Sequence, residues 1–74
     1  FIRQVNAIAL RRRILLLADL LQTGRHLMLI PELARLRTEA AFIAFLDAPS
    51  VAHFRELSAI ELDLRRIAVE FEQR

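Results

Sequence analysis

The chain has 74 residues, 55% of them hydrophobic, and its 11 basic and 9 acidic residues give a net charge of +2. It has no cysteine, which excludes a disulfide framework and a thiolate metal site, and its single glycine excludes glycine-rich phosphate-binding loops. This length predicts one domain, residues 1–74, with more apolar side chains than so small a body readily buries. Such an excess indicates an interaction surface.

The first segment predicts one helix over about residues 2–23. Gly24 follows its last apolar residue and is typical of the residue that ends a helix. Ile8 and Leu15 lie one heptad apart on the more polar side, where they form a small second apolar stripe. The main stripe recurs at alternating spacings of three and four, which predicts a face turned to a core: Ala7, Leu10, Ile14, Leu17 and Leu21.

A second helix is predicted over about residues 31–47, with Pro31 in its first turn, where a missing N–H is tolerated. Residues 25–30 are interpreted as a connector, either a short extended crossing or a helical turn, because proline disfavours helical backbone at Ile30. Residues 40–46 are apolar on every side and need covering from several directions. The three-and-four spacing predicts a buried stripe here too: Leu29, Leu33, Leu36, Ala40 and Ile43.

A third helix is predicted over about residues 50–73. Asp47 or Ser50 is its N-cap, and Pro49 is expected in its first turn. Leu62 and Val69 share one heptad position off the main stripe, on a mostly charged side. The main stripe has the a and d spacing of a coiled coil: Leu57, Ile60, Leu64, Ile67 and Phe71.

Three helices with short connections predict an all-α fold, either a helical hairpin or a three-helix bundle with antiparallel neighbours and a coiled-coil-like third helix. No uncharged stretch approaches the roughly 20 residues that span a bilayer, so no transmembrane segment is expected. No secretory pattern is evident, which favours the cytoplasm.

Signals for catalysis and cofactors are weak. Ser50, His53 and Glu56 share one side of the third helix, in the order of a nucleophile, a base and an orienting carboxylate. A convex helix surface offers no oxyanion hole, so we interpret Ser50 as a cap instead. Neither histidine, His26 nor His53, has a second ligand at metal-binding spacing. We therefore expect no enzyme, no metal, no cofactor and no small-molecule substrate.

The basic residues allow a second interpretation. Arg11, Arg12 and Arg13 are candidate phosphate contacts, although consecutive helical residues point about 100° apart and do not form one patch. The alternative function is therefore a nucleic-acid-associated helical subunit of a nucleoprotein complex. Binding of the first helix to a membrane surface is a weaker alternative, because its arginines do not line one face.

Three parts of the chain form a recognisable layout: residues 20–24 (Leu-Leu-Gln-Thr-Gly), residues 32–37 (Glu-Leu-Ala-Arg-Leu-Arg) and the hydrophobic seam from Leu57 to Phe71. In this layout the chain resembles flagellar and type III export chaperones. The resemblance implies a cytoplasmic helper that masks aggregation-prone helices of an export substrate.

From the residues themselves we predict a protein-protein interaction module. Its role is that of a chaperone or adaptor, or else that of a small accessory subunit of a larger assembly. Its partner is either another protein or further copies of the chain. The candidate docking residues are Ile8, Leu15, Phe42, Phe45, Leu62 and Val69.

Overall fold

The computed structural model describes residues 4–22 and 29–72, with side chains up to residue 70. These residues form three helices: α1 (Gln4–Gln22), α2 (Leu29–Asp47) and α3 (Val51–Glu72). Each helix packs against the other two, which confirms the all-α prediction and makes the fold a three-helix bundle rather than a hairpin.

The start of α2 differs from the prediction. The helix begins at Leu29, so residues 29 and 30 belong to α2 and not to a connector, and of the two conformations considered for them the helical one is correct. Pro31 still lies in the first turn, where the backbone N–H groups have no partner within the helix and a proline therefore removes no hydrogen bond. Gly24 and residues 25–28 lie outside the described residues.

Ser50 is the N-cap of α3, which decides between the two predicted candidates. Its Oγ accepts a hydrogen bond from the backbone N–H of His53 at 3.2 Å, so one of the free N–H groups of the first turn is satisfied. Pro49 lies before the cap and not in the first turn, contrary to the prediction. The preceding helix ends with Ala48 N–H donating to the carbonyl of Ala44 at 2.9 Å.

Ion pairs between helices give the directions of α1 and α2. Arg11 binds Glu39 at 2.7 Å, and farther along α1, Asp19 binds Arg35 at 2.6 Å. Because the residue numbers rise on α1 as they fall on α2, the two helices run antiparallel.

The second and third helices are antiparallel as well. Arg37 binds Glu56 at 2.8 Å, and the rings of Phe45 and Phe54 lie 6.3 Å apart near the connection between the helices. Since α1 and α3 both oppose α2, they run parallel to each other.

The core confirms most of the stripes predicted on α1 and α3. Leu17 and Ile67 are only partly buried against it, and the side chain of Phe71 lies outside the described residues. The predicted residues that are buried are Ala7, Leu10, Ile14 and Leu21 on α1, and Leu57, Ile60 and Leu64 on α3.

The stripe predicted to be buried on α2 is wrong. All five of its residues, listed above from Leu29 to Ile43, are exposed. The helix turns a different stripe to the core, and apart from Phe45 its members are small or compact. Small side chains let α1 and α3 approach the α2 backbone closely, and Phe45 fills the space near the α2–α3 connection. The buried residues of α2 are Pro31, Ala34, Thr38, Ala41 and Phe45.

Candidate docking surface on the second helix

An extended, exposed apolar surface lies on the side of α2 that faces away from the core. We call it the outer α2 face. Its four large side chains are between 57% and 72% exposed, and no charged residue interrupts their stripe. From first to last residue it extends about 21 Å along the helix. Its members are Leu29, Leu33, Leu36, Ala40 and Ile43.

The packing of the opposite side holds this face outward. Thr38 is fully buried, and its hydroxyl donates to the carbonyl of Ala34 at 2.6 Å within the same helix. The threonine therefore satisfies its own polar group and needs no partner from α1 or α3. Turning α2 to bury its leucines would expose this compact stripe and separate the three helices.

Leaving the outer α2 face in water has a large free-energy cost. Full burial of one Leu or Ile side chain stabilises by about 1.5–3 kcal/mol, so covering the exposed parts of four would contribute on the order of 4–8 kcal/mol. A small domain is stabilised by only about 5–15 kcal/mol in total. A partner surface that covers the exposed leucines would therefore remove a free-energy cost that is large relative to the stability of the domain.

Charged residues line both edges of the outer α2 face, with opposite signs. Glu32 and Glu39 lie along one edge, and Arg37 lies along the other. Glu39 is held by Arg11, and Arg37 is held by Glu56. Among the described residues, Glu32 has no ion pair and is exposed.

A shallow groove between α2 and α3 continues the surface on the Arg37 side. Its volume is about 290 Å³, and six of the eight residues that line it are apolar. Leu33 belongs both to this groove and to the outer α2 face, while Asp63 and Ile67 of α3 form part of the opposite wall. A helix lying on the outer α2 face would therefore also meet an apolar shoulder.

The structure separates the docking residues predicted from the sequence. Ile8, Leu62 and Val69 are exposed by 42–49%, less than the large residues of the outer α2 face. Leu15 is partly buried. These residues lie on α1 and α3, so they do not form one surface with the outer α2 face.

The two phenylalanines predicted as docking residues belong to the core region. Phe45 is 1% exposed and contacts Phe54, so it is not on the surface of the bundle. Phe42 is partly buried, and the guanidinium of Arg11 lies 5.3 Å from its ring centroid. Both were predicted as docking residues from a segment that is apolar on every side, and such a segment does not indicate which side of the helix faces the core.

Sequence reasoning missed the outer α2 face because it placed those residues in the core. The available signal was that two apolar stripes follow the same spacing on opposite sides of α2, with the charged residues between them. A helix that is apolar on two sides needs covering on both.

A second apolar groove, also missed, lies between α1 and α3. Its volume is about 390 Å³, and Leu16, Leu17 and Leu20 of α1 are its apolar lining residues. Arg13 and Arg65 border it, and Glu61 is paired with Arg65. Three of the six residues that line this groove are therefore charged, so it offers a less continuous apolar surface than the outer α2 face.

The three consecutive arginines have different environments. Arg11 is half-buried and engaged with both Glu39 and Phe42, so its charge is already matched inside the bundle. Arg12 and Arg13 are exposed. The candidate phosphate contacts are therefore reduced to two free side chains.

Each residue of the catalytic interpretation has a structural partner. Ser50 caps α3, and the His53 ring donates through Nδ1 to the carbonyl of Ala48 at 2.9 Å. Glu56 binds Arg37. In residues 4–22 and 29–70, no cluster of three histidine or acidic side chains is arranged to hold a metal ion.

Within the described part of the chain, none of the helices combines the length and apolarity needed to cross a membrane. The chain matches no protein-family model, no curated protein and no solved structure.

Proposed function

We propose that this chain is a helical protein-protein interaction module that docks a helix of its partner onto the outer α2 face. The observation that carries the proposal is the exposure of Leu29, Leu33, Leu36 and Ile43 on one uninterrupted stripe. An amphipathic helix binds a partner helix through apolar residues at this spacing. The charged edges would fix the orientation of the partner, since complementary charges contribute mainly specificity.

Two forms of this function differ in permanence. A chaperone or adaptor covers the apolar helix of a client and releases it, as the resemblance to export chaperones implies. An accessory subunit keeps its outer α2 face covered within one assembly. The purified chain distinguishes them, because a chaperone stays soluble alone and an accessory subunit aggregates.

Nucleic-acid association has less support. Arg11 forms an ion pair with Glu39 and contacts the Phe42 ring. Of the three consecutive arginines, only Arg12 and Arg13 are therefore exposed and available for phosphate. Two phosphate contacts give little affinity, and binding of this kind weakens steeply with salt.

Photo-crosslinking in the native cells tests the proposal. A photo-reactive amino acid is placed at Ala40 in the outer α2 face and, as a matched control, at the exposed Ala59 of α3. We expect protein adducts of defined mass from position 40 and few from position 59. Leu36→Glu should abolish the adducts while circular dichroism shows unchanged helicity. Absence of adducts at position 40, or equal yields at both positions, would overturn the proposal.

A further inference from the structure

We propose that the outer α2 face binds the same face of a second copy of this chain, with the two α2 helices parallel. The inference rests on the proposed function, because it names the occupant of that surface. A twofold dimer uses one self-complementary patch on both copies, and the outer α2 face has the residues and the charges for that role.

The spacing of the outer α2 face is that of a coiled-coil seam. Leu29, Leu36 and Ile43 take d positions, and Leu33 and Ala40 take a positions. In a parallel pair, each residue faces its own copy across the twofold axis. The small Ala40 layer then lies between two layers of large side chains, which interdigitate around it.

The charges on the two edges select the parallel arrangement. Glu32 and Glu39 occupy g positions, and Arg37 occupies an e position. In a parallel coiled coil, a g residue lies beside the e residue of the next heptad on the other helix. Glu32 of each copy therefore meets Arg37 of the other, which forms two ion pairs per dimer.

An antiparallel pair would bring like charges together. In that arrangement g edges face g edges and e edges face e edges. The acidic edge with Glu32 and Glu39 would then lie against its own copy, and so would the edge with Arg37. Like charges opposite one another disfavour a partner orientation, so the edges discriminate against this arrangement.

The bundle leaves room for this dimer. The buried residues of α2, from Pro31 to Phe45, are on the side opposite to the outer α2 face. Neither α1 nor α3 therefore prevents a second α2 from approaching to the usual interaxial distance of about 8–10 Å. Arg37 can keep its ion pair with Glu56, because a guanidinium has N–H donors enough for two carboxylates.

The described seam is short. Asp47 takes the a position after Ile43 and would face its own copy, so the apolar seam ends there. Two heptads bury less than the roughly 800 Å² per partner of a standard interface. We therefore expect a dissociation constant of about 1–100 μM.

Sedimentation velocity and disulfide trapping test the arrangement. The chain should pass from monomer to dimer over the micromolar range. Because it has no cysteine, Ala40→Cys introduces a single thiol that should oxidise to a covalent dimer across the twofold axis, where the Cα atoms lie within the about 4.4–6.8 Å that a disulfide spans. Ala59→Cys, also exposed on a helix, is the matched control and should stay reduced.

Charge reversal tests the orientation. Glu32→Arg alone, or Arg37→Glu alone, should weaken self-association about tenfold, because both ion pairs become repulsive. Mixing the two variants should restore association, since position 32 of one then meets an opposite charge at position 37 of the other. Circular dichroism of each variant checks that the bundle is intact, because Arg37→Glu also faces Glu56.

Other outcomes contradict the inference. A chain that stays monomeric at all concentrations overturns the second copy as occupant. Trapping between Ala40→Cys and Leu36→Cys chains, with no Ala40→Cys homodimer, overturns the parallel arrangement. A dimer trapped only through Ala59→Cys overturns the choice of face. The photo-crosslink in cells separates this inference from the proposed function. Adducts at position 40 only to a different protein keep the proposed function and overturn the second copy as occupant, and the absence of any protein adduct there removes both.

Discussion

Leu36 and Thr38 are two residues apart on α2 and face opposite sides of it. Leu36 is 69% exposed, whereas Thr38 is fully buried in the core. Residues two apart on a helix point about 200° apart, so one of the two must turn outward. The bundle buries the threonine and exposes the leucine, and this choice creates the outer α2 face.

The small side chains toward the core should make α2 intolerant of larger ones there. Ala41→Leu should destabilise the bundle by about 1–3 kcal/mol, because a buried alanine has no room for added methylenes. Ala40→Leu, its neighbour on the outer α2 face, should leave the stability unchanged. Urea unfolding of both variants, at concentrations below self-association, measures the difference. Equal effects would contradict the orientation of α2.

The seam of α3 should separate core from surface residues in the same way. Leu64→Ala should lower the free energy of unfolding by about 2–5 kcal/mol, because Leu64 is 2% exposed. Leu62→Glu should leave folding intact, since Leu62 is 44% exposed. Thermal unfolding followed by circular dichroism compares the two. A similar loss of helicity from both changes would show that Leu62 is part of the core.

The cap of α3 should contribute measurably to stability. Ser50→Ala removes the acceptor for the His53 N–H and should cost about 1 kcal/mol. Ser50→Asp is the matched control and should retain most of the stability, because its carboxylate accepts the same hydrogen bond. Urea titrations of the two variants provide the comparison, and a neutral Ser50→Ala would place the cap elsewhere.

The contacts of Arg11 should distinguish it from its exposed neighbour. Arg11→Ala removes the ion pair to Glu39 and the contact with the Phe42 ring, so we expect a loss of about 1 kcal/mol. Arg12→Ala should be neutral within about 0.5 kcal/mol. A double-mutant cycle with Glu39→Ala should give a coupling of about 0.5 kcal/mol that decreases with salt, since both side chains are partly exposed. Zero coupling would contradict the ion pair.

The sequence predicted α1 and α3 well because each has one dominant apolar stripe. The alternation through Leu57, Ile60 and Leu64 is opposed by charged residues, so only one orientation buries it. The same logic worked for Ala7 to Leu21 on α1. Three helices with short connections predicted a hairpin or a three-helix bundle, and the packing of each helix against the other two decides for the bundle.

The orientation of α2 was not predictable from spacing alone. Leu33 and Leu36 on one side and Ala34 and Ala41 on the other follow the same alternation. Ranking the stripes by side-chain size favoured the leucines, but close packing between three helices favours the alanines. The candidate site was missed for this reason, since its residues had been assigned to the core.

The sequence reduced the candidates for the N-cap of α3 to two residues but did not decide between them. Asp47 and Ser50 are both good N-cap residues, and Pro49 lies in the first turn only if Asp47 is the cap. Only the continuation of α2 through Asp47 places the cap at Ser50 and leaves Pro49 between the helices.

Thiol labelling of neighbouring positions on α2 tests the central claim most directly. The chain has no cysteine, so Ala40→Cys and Ala41→Cys each introduce one thiol, one on the outer α2 face and one in the core. In dilute solution, we predict that a maleimide labels position 40 at least about tenfold faster than position 41, because access to a buried thiol requires opening of the bundle. Faster labelling at position 41, or equal rates, would contradict the outward orientation of the leucine stripe.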